Sequence, residues 1–341
     1  MELNKNDSKM LQGLSVLAMV WLHLFDREHG GLYTPLIFLG SKPLSFLIAQ
    51  LADFCVFGFA FVSGYGHMAQ SGGKGWYKRR LKGLLSVFIS YWVILAVFSA
   101  VSAIAGQASF MPGSVMKFIR NALTIDSSYN GAWWYMFTYA VIVLASPLIL
   151  KAVEKWHPAL LILASGTLYV AAYAVRFWIP NGGNWFLIKF GPLGMTIVEY
   201  VVGAFFYKYK ILSWMYSKWE RINKYLRGVI AAILIGILLI CRTYIIPALF
   251  FAPISGIVLI TLFHYWKKPK WIEKAFVFIG NHSTNIWLTH MFFYSVLFVK
   301  LVYIAKYPLL IYAFLIGITI CVSLILKLIE NPLQKLLLKK G

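Results

Sequence analysis

Residues 8–25 read SKMLQGLSVLAMVWLHLF, an apolar run with Lys9 and Gln12 at one end and His23 near the other. A helix turns about 100° per residue, so an offset of eleven residues completes about three turns and returns Gln12 and His23 to one face, roughly 16 Å apart along the axis. Lys9, fourteen residues before His23, is displaced by about 40° on that face. Ser15 and Met19 lie between them. One stripe thus carries a cation and an amide at one end and a titratable imidazole at the other. Ionisable groups inside a membrane helix are costly to bury, and they mark functional sites.

Composition supports the membrane that this reading needs. Of 341 residues, 60% are hydrophobic and only 13% charged, with a mean hydropathy of +0.74; soluble domains carry about one-quarter charged residues. The formal charge of +21 invites a nucleic-acid partner, but such proteins gather Lys and Arg on one face or element. Here the basic residues fall in short segments between apolar runs, and no nucleic acid is expected. Cys55, Cys241 and Cys321 stand singly in apolar surroundings, which argues against a disulfide framework or a metal site. No small-residue cleavage site follows the first run, because Leu24, Phe25, Asp26 and Arg27 are large or charged. It is therefore expected to stay attached rather than act as a cleaved signal.

Runs long enough to span the hydrocarbon core, about 20 residues each, fall near 10–27, 44–68, 83–106, 132–150, 159–179, 192–209, 227–243, 247–266, 283–304 and 308–329, about ten helices. The seventh and eighth are separated only by the residues before Pro247. With the amino terminus inside, 23 of the 32 basic residues lie in the inner segments 5–9, 74–82, 151–155, 208–227, 267–274 and 327–340. The positive-inside rule then places both termini in the cytoplasm and accounts for the net charge. Gly and Pro mark the outer loops at Gly30-Gly31, Met111-Pro112-Gly113 and residues 181–184, NGGN. No fixed-period repeat or soluble domain is visible. The expectation is an all-α, multi-pass protein of the plasma membrane, with residues 1–341 as one membrane domain.

This topology sorts the polar residues by depth. An inner basic rim comprises Lys9, Gln12, Arg79, Arg80 and Lys82, with Glu330 closing the last helix and His282 and His290 near the start of the ninth. Deeper stand His23, Asp53 and Glu199. Buried ionisable groups pair with one another or line a watery cavity, so a polar pathway between the two faces is expected. His282 and His290 read as interhelical hydrogen-bonding groups, and Arg176 and Arg242 as snorkelling cations near outer helix ends.

A succession of motifs now carries a resemblance. His23 closes the first helix with ten residues between it and polar Gln12. Residues 57–65 read FGFAFVSGY, 78–82 KRRLK, 133–135 WWY, 280–290 GNHSTNIWLTH and 330–332 ENP. Together, in this order and over nearly the whole chain, they resemble the acyltransferase-3 family of membrane acyltransferases. The resemblance implies a ten-helix membrane acyltransferase domain. It would take acetyl groups from cytoplasmic acetyl-CoA and deliver them to a hydroxyl of a cell-surface polysaccharide or other carbohydrate, with no metal. The family's signature places Arg or Lys, ten residues, then an essential His. His23 matches, whereas the cation's position holds Gln12, with Lys9 one turn lower on the same face. Arg80 and Lys82 match the family's basic pair, and Glu330 its late glutamate.

The residues support the same chemistry independently. Coenzyme A joins phosphates to a thioester through a flexible arm comparable in length to the Gln12 to His23 separation. Cations at the inner rim can hold the phosphates; Lys9, Gln12, Arg79, Arg80 and Lys82, with Glu330 as the resemblance implies, are the expected donor-binding set. Histidine, with an ordinary pKa near 6.5, can act as general base at neutral pH or carry the acyl group itself. Asp26, Asp53 or Glu199 could orient it. The acceptor would enter from outside or from the membrane lipid and meet Trp133, Trp134, Asn184 and Trp185, aromatic faces and amides suited to a sugar; an interfacial aromatic belt would use the same residue types. The alternative is a transporter or exporter of a small molecule or lipid-linked sugar, for which buried Asp53 and Glu199 would serve as proton-coupling groups.

Overall fold

The computed structural model describes residues 1–27, 31–180, 182–245 and 250–339. Gly30, Asn181, Pro247 and Lys340 lie outside the described residues. The chain is almost entirely helical: α1 (Lys5–Phe25), a two-residue hairpin of β1 (Phe38–Leu39) and β2 (Lys42–Pro43), α2 (Leu44–Leu51), α3 (Cys55–Gln70), α4 (Trp76–Ile104) and α5 (Val115–Ala122). Then follow α6 (Trp134–Lys155), α7 (Pro158–Phe177), α8 (Trp185–Lys208), α9 (Ile211–Trp219), α10 (Lys224–Ile240), α11 (Ala252–Tyr265), α12 (Lys270–Met291), α13 (Val299–Tyr303) and α14 (Pro308–Lys339). Among the described residues, eight helical stretches are long and apolar enough to cross a membrane. This is an all-α membrane protein.

Hydrogen bonds between helix ends show which ends lie together. At one end, Glu2 pairs with Tyr65, at the close of α3, and with Ser213, at the start of α9. Lys208 Nζ donates to Val153 O (2.9 Å) and Glu154 O (2.8 Å) at the close of α6, and Lys82 Nζ donates to Leu338 O (3.1 Å), joining the start of α4 to the end of α14. At the other end, Trp21 Nε1 donates to Ser45 O (3.0 Å), Tyr91 Oη to Asn121 O (2.6 Å) and Trp185 Nε1 to Ile125 O (3.2 Å). Both described chain ends therefore share one end of the bundle, the end that carries the lysine-rich segments.

Two of the ten expected spans differ. The eighth is the 14-residue α11, too short to cross by itself. It follows a π-helical turn, Cys241–Ile245, which sets Arg242 inside the bundle rather than snorkelling. The ninth, expected over 283–304, is α12, which begins 13 residues earlier at Lys270. Hydropathy misplaced it because its centre is polar: His282, Ser283, Asn285 and Thr289 are all buried; Ser283 Oγ and Thr289 Oγ1 donate to Gly280 O and Asn285 O of their own helix, and the other two find partners in a neighbouring one. His282 Nδ1 lies 2.8 Å from Ser323 Oγ, and Asn285 Nδ2 donates to Glu330 Oε2 at 3.1 Å, both on α14.

α1 is placed by local signals and by one close crossing. Asn4 caps it, accepting from Asn6 N (2.7 Å) and Asp7 N (2.9 Å) while Asp7 Oδ2 accepts from Asn4 N (2.9 Å), a reciprocal capping box. Gly13 then packs on Phe276 O and Gly280 on Lys9 O so closely that a Cβ on either would overlap backbone. Small residues permit such approaches between membrane helices. Gly280→Leu is expected to force α1 and α12 apart and destabilise the protein by about 1–3 kcal/mol, the usual cost of overpacking. Thermal unfolding in detergent checks this against Gly317→Leu, whose site on α14 is open and which should leave the midpoint unchanged.

Candidate functional site

The Gly13/Gly280 crossing sets the register of what lies above it. α1 and α12 run parallel, and ten residues beyond each glycine stand His23 and His290. Ten residues is one heptad plus three, the spacing that brings a parallel helix pair back to its seam. The imidazoles meet there, with His23 Nδ1 2.7 Å from His290 Nε2 and the rings stacked, centroids 5.0 Å apart and planes 6° from parallel. Tyr294 extends the stack, its centroid 5.8 Å from that of His290.

The hydrogen bonds determine which nitrogen carries each proton. His290 Nδ1 faces two backbone carbonyls, Trp287 O at 2.8 Å and Ile286 O at 3.2 Å. Carbonyls only accept, so this nitrogen bears the hydrogen. A buried charge without a counter-ion is costly, and His290 is fully buried, so the resting ring is neutral and its Nε2 is a bare acceptor. His23 Nδ1 must then donate to it, which leaves the lone pair of His23 on Nε2. A histidine held in one tautomer with a free Nε2 is poised to take a proton.

Among the described residues, His290 is the hydrogen-bond partner of His23. The three carboxylates expected to orient it lie elsewhere. Asp26, the C-cap of α1, sits at the His23 end of the cavity, where burial raises its carboxyl above the ordinary aspartate range. Asp53, in the 3-10 turn Ala52–Phe54 between α2 and α3, accepts from Arg242 Nε at 2.6 Å in a buried ion pair. Glu199 on α8 is buried and has Oε2 without a partner.

A cavity of about 390 Å³ runs beside α1 from Lys9 and Gln12, past Met19 and Leu22, to His23 and Asp26. Asp53, Cys55, Tyr135, Tyr139, Arg176 and Trp287 contribute its other walls. At the lysine-rich end Lys9 Nζ donates to Gln12 Oε1 at 3.0 Å, so a cation stands directly on the amide that occupies the motif's first position. Lys5 and Lys327, outside the cavity lining, act on Lys9 electrostatically.

The rest of the expected donor-binding set stands back from the cavity. Arg79 donates to Lys74 O (2.7 Å) and Lys82 to Leu338 O (3.1 Å). Arg80 donates to Gln70 Oε1 (2.9 Å) and acts electrostatically on Tyr139 in the cavity wall. Glu330 holds Asn285 and thereby ties α14 to α12. Of the expected acceptor-binding residues, Trp134 lines the cavity. Trp133 is turned into the core, where Nε1 donates to Leu288 O at 2.9 Å and the ring packs on Tyr91 and Phe292. Asn184 caps α8, accepting from Phe186 N and Leu187 N, and Trp185 packs on Phe137 beside it. No three His, Cys, Asp or Glu side chains gather as a metal site among the described residues.

In comparison with known families, the acyltransferase-3 family model, described as an acyltransferase domain, aligns with residues 7–328. No curated protein and no solved structure matches the chain.

Proposed function

The chain belongs to the acyltransferase-3 family, and from that premise we propose that it moves an acetyl group from cytoplasmic acetyl-CoA to a hydroxyl of a cell-surface carbohydrate. The observation that carries this reading is the continuous cavity that joins Lys9 and Gln12 at the lysine-rich end to the His23–His290 pair near the other. In the plasma membrane the lysine-rich end faces the cytoplasm, as the positive-inside rule requires, and both chain termini lie there.

Each part of the cavity then has a task. Lys9, with Lys327 behind it and Gln12 as hydrogen-bond partner, holds the donor's phosphates; ammonium groups serve phosphate as point charges. The arm lies along α1 between the helices, and the uncharged thioester reaches His23. His23 Nε2 takes the proton from the acceptor hydroxyl as its oxygen attacks the thioester carbonyl. The carbon–sulfur bond then breaks, the proton passes from His23 to the departing thiolate, and the products are an O-acetyl ester and free coenzyme A. While His23 is an imidazolium, its Nδ1–H bond to His290 Nε2 is charge-assisted and therefore stronger.

Lys9→Ala tests the donor grip. A charge-assisted hydrogen bond is worth about 1.5–3 kcal/mol, so the KM for acetyl-CoA should rise about ten- to a hundredfold while kcat changes little. Gln12→Arg should restore most of the loss in the Lys9→Ala background, because it returns a cation to the same face. An unchanged KM in Lys9→Ala would show that the phosphates bind elsewhere. Mass spectrometry of the acceptor, reading an added acetyl ester for each coenzyme A released, tests the reaction itself.

A further inference from the structure

Two arginines, Arg242 buried and Arg176 partly exposed, face the interior of the bundle, and their surroundings differ. Arg242 is neutralised by Asp53 at 2.6 Å, with side-chain exposures of 9% and 3%. Arg176, in the last turn of α7, also turns inward and lines the cavity with His23 and Asp26. Its guanidinium carbon lies 5.6 Å from the Trp134 ring centre and 5.3 Å from that of Phe177, and among the described residues it makes no hydrogen bond or ion pair. Glu199 acts on it electrostatically without coming within ion-pair distance, and Glu199 Oε2 is itself buried and unpartnered.

Arg176, one residue before the end of α7 and partly exposed, presents its guanidinium to the cavity without a hydrogen-bond or ion-pair partner among the described residues. Its planar fork of donors matches a carboxylate or phosphate bidentately, and the Trp134 ring lies beside it. The donor's phosphates do not supply that anion: they are held near Lys9, roughly 21 Å from His23 along α1 at 1.5 Å per residue, and the thioester end that reaches His23 is uncharged. Resting on the acetyl-transfer reading above, we infer that Arg176 anchors an anionic group of the acceptor, so that the acceptor is an acidic carbohydrate bearing a carboxylate or phosphate together with the hydroxyl that is acetylated.

Three sugar probes on the purified, acetyl-CoA-bound protein test this: methyl β-glucuronide, glucose 6-phosphate and neutral methyl β-glucoside. Isothermal titration should give at least one of the two anionic sugars about tenfold or more tighter binding than the glucoside, and which one prevails distinguishes carboxylate from phosphate. Arg176→Gln should erase that preference, and Arg176→Lys, which keeps one charge without the fork, should retain part of it. Affinity for acetyl-CoA should not change in either variant. Equal binding of all three sugars, no sugar binding, or a preference that survives Arg176→Gln overturns the inference while leaving the transferase reading standing. Loss of acetyl-CoA affinity in Arg176→Gln also overturns it, by placing Arg176 in the donor site. Failure of the unaltered protein to bind acetyl-CoA removes the transferase reading instead.

Discussion

His23→Ala is expected to lower acetyl transfer by about 10²- to 10⁴-fold, the range that positioned general bases supply, with almost all of the loss in kcat. The reason lies in the division of the cavity. On the proposed reading, donor affinity resides in the cations around Lys9, fourteen residues away on α1, whereas His23 would meet only the neutral thioester and the acceptor hydroxyl. Removing the imidazole deletes an interaction that strengthens as the proton moves, and such losses appear in kcat rather than in binding. Equilibrium binding of acetyl-CoA to the variant, measured beside its turnover, separates the two. Full turnover in His23→Ala would remove this residue from the chemistry, and lost binding with normal kcat would reassign it to the donor grip.

His290→Leu is expected to cost about 10²- to 10³-fold in kcat although it leaves His23 in place. Without the bare Nε2 of His290, the Nδ1–H of His23 has no acceptor, and the ring is free to adopt the tautomer or rotation that points a hydrogen at the substrate. Loss of an orienting partner is known to be severe where a histidine must present one particular nitrogen. His290→Gln gives the control that a packing role would not pass. Its side-chain oxygen can accept from His23 Nδ1 and its amide can donate to Trp287 O, so activity should stay within about tenfold of the unaltered protein, the smaller cost of an imperfect but retained hydrogen bond. If Leu and Gln variants lose activity equally while remaining folded, His290 does not act by holding the tautomer.

The contrast between these two histidines shows what the linear chain reveals. His23 is legible because its partners in the argument, Lys9 and Gln12, lie on its own helix, where periodicity fixes faces and depths. His290 is legible only once the start of α12 is correct. The polar string at residues 280–285 resembles a loop by hydropathy, which moves the helix start from Lys270 to 283. Thirteen residues amount to roughly 20 Å of helix, enough to transfer His290 from the His23 end of the cavity to the opposite rim. A usable signal was present in the matching ten-residue intervals Gly13 to His23 and Gly280 to His290, which mark two parallel helices crossing at small residues. The Asp53–Arg242 pair carries no such signal. Its members are 189 residues apart, and the π-helical turn that aims Arg242 inward has no distinctive pattern. Trp133 and Trp134 show the remaining limit: adjacent indoles face the core and the cavity respectively, and composition gives both as interfacial aromatics.

The central claim is that one cavity brings cytoplasmic acetyl-CoA to a histidine that transfers its acetyl group. It is tested most directly by reconstituting the protein in liposomes with acetyl-CoA and an envelope-glycan extract, and following coenzyme A thiol release and acetyl ester formation together. The unaltered protein should yield equimolar thiol and ester, and His23→Ala neither above background. Passage of solute across the liposome membrane with no thiol release, equal in both proteins, would contradict it and make the chain a carrier.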